Sequence, residues 1–202
     1  MKEKTVRFLK NPVLGNIVLA QISFFLLLTL TVFITTKGFK NNRGLSFYGE
    51  HWSTAVTYGG GFILCDYFLL RAANALPKNK PVLKKLALLI NILTVLLLGV
   101  LLTPDTLNSF FNWSHIGAST VLFLFELGFG GWLTILIYKD WISLGLLFLQ
   151  FMAGVFAMLS QFHIVYYLSE SSLFFQFFFG ILLSYAVAQL LKHPFRQLPL
   201  ST

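Results

Sequence analysis

The chain has 202 residues, of which 56% are hydrophobic and 11% are charged, and its mean hydropathy is +0.76. A soluble domain of this length needs more charged surface, so the composition excludes that class and indicates a membrane protein. The net charge of +8 could suit nucleic acid, but no aromatic-interleaved basic surface lies between the apolar segments, and we expect no nucleic-acid partner. Cys65 is the single cysteine, which leaves no internal disulfide or thiol metal cluster.

Six apolar stretches follow one another along the chain, each about as long as a helix must be to cross a hydrocarbon core of ~30 Å. The sequence therefore predicts an all-α fold, a compact bundle of six transmembrane helices that forms one domain over residues 1–202. The helices are predicted at 12–36, 52–75, 86–103, 115–138, 141–161 and 172–191. The first stretch is too long for a signal-peptide core and lacks a small-residue cleavage site, so we expect a retained helix.

The basic residues predict the orientation of the bundle. Most of the 15 lysines and arginines lie on the side that carries both termini, whereas Lys37, Lys40 and Arg43 lie on the other. By the positive-inside rule both termini are cytoplasmic, and we expect a multi-pass protein of the plasma membrane, of the bacterial inner-membrane type. The basic loop between the second and third helices is also predicted to contact anionic lipid headgroups.

Glu126 stands in the middle of the fourth predicted helix. His115, Ser119 and Glu126 fall within ~40° of one another on one helical face and form a polar stripe. An ionised carboxylate at this depth costs ~2.5–3.5 kcal/mol, so Glu126 should face the bundle interior, either protonated or paired. The amides predicted at a similar depth belong to Gln21, Gln150 and Gln176.

Further polar residues accompany this stripe. Asp66 lies near the cytoplasmic end of the second helix and is predicted to form a structural ion pair with Arg71, Lys84 or Lys85. Three glycines beside Glu126 should let a neighbouring helix approach closely: Gly128, Gly130 and Gly131. On the fifth helix Gln150, Gly154 and Gln161 share a face. The candidate binding groove comprises His115, Ser119, Glu126, Gln150, Gln161 and Asp66.

The outer side of the bundle offers an alternative site. Histidines and carboxylates that could bind a metal there are His51, His115, His163, Glu50, Glu170 and Asp105. Zinc takes such ligands, although none has a metalloprotease spacing and short outer loops carry polar residues in any case. Haem is disfavoured because di-haem bundles want histidine pairs at two depths and no histidine lies within the hydrocarbon. We predict no resident cofactor.

The order of motifs resembles a known family. The segment S-F-Y-G-E-H-W-S-T enters the second helix, S-H-I-G-A-S-T opens the fourth, and Y-L-S-E-S-S opens the sixth. This pattern resembles the Frag1/DRAM/Sfk1 family of six-helix membrane proteins, and equally the bacterial families of the DUF998 type. The matching positions are Ser46, Gly49, His115, Ala118 and Glu170. The resemblance implies a non-transporting protein linked to lipid handling, membrane organisation or stress response, without established catalytic residues.

Three functional hypotheses follow. The first is a non-catalytic membrane protein that binds lipid, or that organises or stabilises a membrane-protein partner or a second copy of itself. The second is an outer-leaflet, metal-dependent lipid hydrolase or transferase, with His51, His115 and His163 as ligands and a nearby carboxylate as general base. The third is a small proton-coupled transporter that uses Glu126.

Overall fold

The computed structural model describes residues 11–35, 48–49, 51–103, 109–137, 140–161 and 171–192, apart from the side chains of residues 160 and 161. This described part contains six long α-helices joined by short segments. In chain order they are α1 Pro12–Ile34, α2 Trp52–Ala75, α3 Pro81–Leu101, α4 Ser109–Leu136, α5 Trp141–Gln161 and α6 Ser171–Lys192.

Within the described residues, five helices are long and apolar enough to cross a membrane, namely all except α2. The protein is therefore a multi-pass helical membrane protein. Helix α2, with 24 residues, is longer than every other described helix except α4. It is less apolar because its first half carries serine, threonine and glycine residues, and its second half carries Asp66 and Arg71.

Two helices begin several residues earlier than the sequence predicts. Helix α3 starts at Pro81 rather than at residue 86, since the fixed φ of proline suits the first helical position and Lys84 and Lys85 then continue the helix. Helix α4 starts at Ser109, so His115 lies in its second turn instead of opening it. Hydropathy locates the apolar part of a helix, whereas backbone hydrogen bonding continues into flanking polar residues.

The helices form a ring of neighbours. Each described helix packs against the next in sequence, α6 contacts α1 to complete the ring, and α4 also contacts α6. Helices α1 and α2 approach each other closely at Gly61, where an added Cβ would lie 3.4 Å from Cβ of Leu27. A hydrogen bond of 2.9 Å from Oγ1 of Thr31 to Oγ1 of Thr57 joins the same pair.

Asp140 fixes the start of α5 against α6. Its carboxylate accepts hydrogen bonds from the backbone N–H of Ile142 at 3.3 Å and of Ser143 at 3.2 Å, as an N-cap does. Tyr185 on α6 also donates to this carboxylate. Partial desolvation acts to raise the pKa of Asp140, but the hydrogen bonds from Tyr185, Ile142 and Ser143 outweigh it and hold that pKa below its usual value.

Candidate functional site

Glu126 lies at the centre of the bundle on α4, and its side chain is 1% exposed. Nε2 of Gln176 on α6 donates a hydrogen bond of 2.8 Å to Oε2 of Glu126. The other oxygen, Oε1, is buried and has no hydrogen-bond partner among the described residues. Gln176 is one of the three amide partners that the sequence predicts for Glu126, and the arrangement leaves one carboxyl oxygen available to a ligand.

A second amide ties α1 to α6 one turn away. Nε2 of Gln21 donates to the carbonyl oxygen of Gly180 and, at 2.7 Å, to Oγ of Ser184. The contact depends on Gly180, because a Cβ there would lie 3.1 Å from Cδ of Gln21. The interior of the bundle therefore holds two hydrogen-bonded contacts, one between α4 and α6 and one between α1 and α6, and they restrict the rotation of these helices.

A cavity of about 40 Å³ adjoins these groups. Five helices line it, through residues Ala20, Gln21, Phe24, Phe25, Cys65, Leu69, Leu93, Leu97, Glu126, Gln176, Phe179, Gly180 and Leu183. A buried water needs about 10–15 Å³ of such space, so the cavity takes a group the size of roughly three water molecules. It is far too small for a lipid headgroup.

Helix α2 brings a thiol and a second carboxyl group to the same region. Cys65 lines the cavity together with Glu126, and Asp66 is the next residue on the same helix. Asp66 is 4% exposed, and neither of its oxygens has a hydrogen-bond partner in the described part of the chain. Two carboxyl groups therefore lie near Cys65, and neither oxygen of Asp66 nor Oε1 of Glu126 is engaged by a described side chain.

The predicted ion pair of Asp66 is not formed among the described residues. Arg71 is exposed and donates instead to the hydroxyl of Tyr67 at 3.3 Å, while Nζ of Lys85 lies 5.3 Å from the ring centroid of Trp132. Residues five positions apart are rotated by roughly 140° on a helix, so a buried Asp66 directs Arg71 away from itself. The prediction was wrong because it considered the depth of these residues in the membrane but not the direction in which each side chain leaves its helix.

Gln150 lies apart from Glu126, against the next turn of α4. It is 0% exposed, and both of its amide atoms lack a hydrogen-bond partner within the described residues. A Cβ on Gly130 would be 2.8 Å from its Oε1, whereas a Cβ on Gly128 or Gly131 would meet nothing within 4 Å. Of the three glycines expected to admit a neighbouring helix, Gly130 is the one that does so.

The other predicted groove residues are distributed along the helices. His115 is buried and Ser119 half-buried on α4, toward its N-terminus from Glu126, and neither lines the cavity. Gln161 ends α5, and its side chain lies outside the described residues. The sequence did not single out Cys65 or Gly180 as residues that line the cavity with Glu126, since that required the rotation of α2 and α6.

The metal hypothesis finds no geometric support in the part of the chain that the structure describes. There, no three histidine, cysteine, aspartate or glutamate side chains gather as metal ligands. His51 is exposed at the start of α2, and His115 is buried on α4. The remaining candidates, His163, Glu50, Glu170 and Asp105, lie outside the described residues, so zinc stays a hypothesis.

Searches of protein-family models, of curated proteins and of solved structures find no match to this chain.

Proposed function

We propose that this is a non-catalytic membrane protein that binds anionic lipid at one edge of its bundle, with all six helices crossing the plasma membrane and both termini in the cytoplasm. The burial pattern of α2 supports six crossings. Its polar residues Thr54 and Asp66 are buried against neighbouring helices, while Ile63, Leu64 and Leu70 are exposed. At ~1.5 Å per residue, this helix is about 36 Å long, which is long enough to span the hydrocarbon core.

The observation that carries the lipid proposal is a basic edge where α2 ends and α3 begins. The side chains that form this basic edge are exposed and positive: Arg71, Lys78, Lys84 and Lys85. The first turn of α3, which is fully described, carries no acidic residue, so the positive end of the helix dipole adds to the field. Each basic side chain near an anionic membrane surface contributes about 1 kcal/mol of attraction.

The positions of the tryptophan side chains are consistent with a basic edge that lies at the membrane–water interface. Lys85 lies over the ring of Trp132, and Trp141 at the start of α5 is 87% exposed. At the opposite ends of the helices, Trp52 and Trp113 are 94% and 73% exposed. Tryptophan concentrates at membrane–water interfaces, so the two sets are consistent with two interfacial belts. On this assignment, the basic edge lies at the level of the cytoplasmic headgroups.

The test compares lipid retention by native mass spectrometry after extraction from vesicles of phosphatidylcholine with and without phosphatidylglycerol. We expect preferential retention of phosphatidylglycerol, and its loss in the triple variant Lys78→Gln, Lys84→Gln, Lys85→Gln. The matched control exchanges Lys37, Lys40 and Arg43 for glutamine, which removes equal charge from the opposite side. Equal retention of both lipids by the native chain would refute the proposal.

A second candidate, proton-coupled transport, is favoured by one observation: Oε1 of Glu126 is buried without a described partner beside a cavity. Cys65 on α2 is the other ionisable side chain among the described residues that line this cavity. The candidate predicts pH-dependent flux in liposomes that Glu126→Gln abolishes. Equal flux at every pH in the native protein and the variant would dispose of it.

A further inference from the structure

The polar lining of the cavity beside Glu126 consists mainly of hydrogen-bond acceptors. Oε1 of Glu126 has no partner among the described residues. Gln21 uses Nε2 to donate to two acceptors, Gly180 and Ser184, which occupies both of its N–H groups and leaves its carbonyl oxygen. Gln176 donates one N–H to Glu126 and likewise retains its carbonyl oxygen. A ligand that fits these groups must carry hydrogen-bond donors or positive charge.

The charges of the residues around the cavity also favour a ligand with positive charge. None of the described residues that line the cavity is basic, and Glu126 is the one carboxyl group among them. An anion would therefore find no positive charge in this lining. An apolar fragment would leave the buried acceptors without partners, which is unfavourable in a low-dielectric interior.

The volume of the cavity and its aromatic lining restrict the class of ligand further. The volume of about 40 Å³ admits a group of a few heavy atoms. The rings of Phe24, Phe25 and Phe179 contribute aromatic surface, which attracts cations. Calcium takes 6–8 oxygen ligands, and magnesium retains several waters in octahedral geometry. One carboxyl group and two amide oxygens in a largely apolar cavity match a monovalent ion better.

We propose that the cavity between α1, α2, α3, α4 and α6 binds a small monovalent cation of the size of ammonium or an alkali ion. Glu126 supplies the counter-charge, and Gln21 and Gln176 supply oxygen ligands from α1 and α6. The site does not depend on the lipid-binding edge. A monovalent cation would also be the transported ligand in the second candidate function. Cation binding is expected even where no flux is found, since binding requires no pathway across the membrane.

The test uses the full chain in detergent, dialysed into choline chloride, which is too large for the cavity. Ammonium, potassium or sodium chloride then replaces choline at constant ionic strength, and thermal unfolding and isothermal titration are recorded. A ligand that binds the folded state raises the melting temperature with its concentration. We expect a saturable rise in melting temperature and a measurable heat of binding for at least one of the three cations. Choline should give neither, because it is too large for the cavity.

Variants separate the site from general salt effects. We expect Glu126→Gln to weaken binding by about tenfold or more, as loss of a charge-assisted contact does. The control variant Gln150→Met removes a buried amide outside the cavity and should bind the cation with the affinity of the native chain. Where Glu126→Gln fails to fold, Gln176→Met tests the same site through a neutral ligand. Failure of all three cations to stabilise or bind the native chain overturns the proposal, and so does equal affinity in the Glu126 and Gln150 variants. The triple lysine variant should retain cation binding, which distinguishes this site from the lipid edge.

Discussion

Gly154 on α5 offers a sharp test of the packing between α4, α5 and α6. A Cβ at this position would lie 2.2 Å from Cε2 and 2.8 Å from Cζ of Phe123, and 3.0 Å from Cδ2 of Phe175. These two rings pack against each other with centroids 4.8 Å apart, so the ring of Phe123 cannot retreat toward Phe175. We therefore expect Gly154→Ala to overpack this contact.

The magnitude follows from two opposing effects. Overpacking a well-filled interior costs about 1–3 kcal/mol, whereas exchanging glycine for alanine within a helix gains about 1 kcal/mol. Gly145 on the same helix is the matched control, since a Cβ there would meet nothing within 4 Å. The difference in free energy of unfolding between Gly145→Ala and Gly154→Ala therefore isolates the steric cost, which we expect at about 1–3 kcal/mol.

The assay is unfolding of the purified protein in mixed micelles by titration with a denaturing detergent, followed by circular dichroism. Gly154→Ala should unfold at a lower detergent fraction than the native chain, and Gly145→Ala at an equal or higher one. A variant Gly154→Ala that is as stable as Gly145→Ala would show that α4 and α5 do not approach each other as described.

Three further predictions concern other parts of the bundle. Gln150→Met removes two buried amide atoms that lack described partners, so it should raise the free energy of unfolding by about 1–3 kcal/mol in the same titration, and a decrease would reveal a partner for that amide. Asp140→Ala should lower the free energy of unfolding by about 0.5–2 kcal/mol at neutral pH, whereas Asp140→Asn should retain the cap. Because the folded-state pKa of Asp140 is lowered, its charge stabilises the fold above the unfolded pKa, and this contribution should disappear as the pH falls through the folded value. Thermal unfolding at several pH values would measure this trend. Lys85→Ala should lower the free energy of unfolding by about 0.5–1 kcal/mol through loss of the contact with Trp132. Fluorescence recorded in a background where Trp132 is the single tryptophan should change with Lys85→Ala and stay unchanged with the control Lys84→Ala.

The pairing of Glu126 was predictable from the sequence because hydrocarbon offers a carboxyl group no water. Such a group must face the bundle interior and find a donor at its own depth, and the predicted helices placed only a few amides there. Which amide is engaged was not predictable, since that depends on how α5 and α6 rotate about their axes. Gln176 faces Glu126, whereas Gln150 faces Gly130.

The cavity itself left no sequence signal. Its lining combines residues from five helices, most of them the apolar residues found throughout the chain, and Cys65 enters only through the rotation of α2. The ion pair of Asp66 was misjudged for the same reason, because two residues at a similar depth can face opposite sides of a helix. Depth follows from hydropathy, but rotation follows from the packing of small residues such as Gly61 and Gly180.

The close fit of α1 against α2 bears on how the chain enters the membrane during synthesis. On the proposed topology, α2 must partition into lipid although Asp66 and Arg71 make it the least apolar of the described helices. Its companion α1 leaves the ribosome first and offers α2 a close surface at Leu27 and a hydrogen bond from Thr31. Helix α2 is therefore expected to insert as a hairpin with α1, so a chain that lacks α1 would lose both crossings together, and α3 to α6 would keep their orientation.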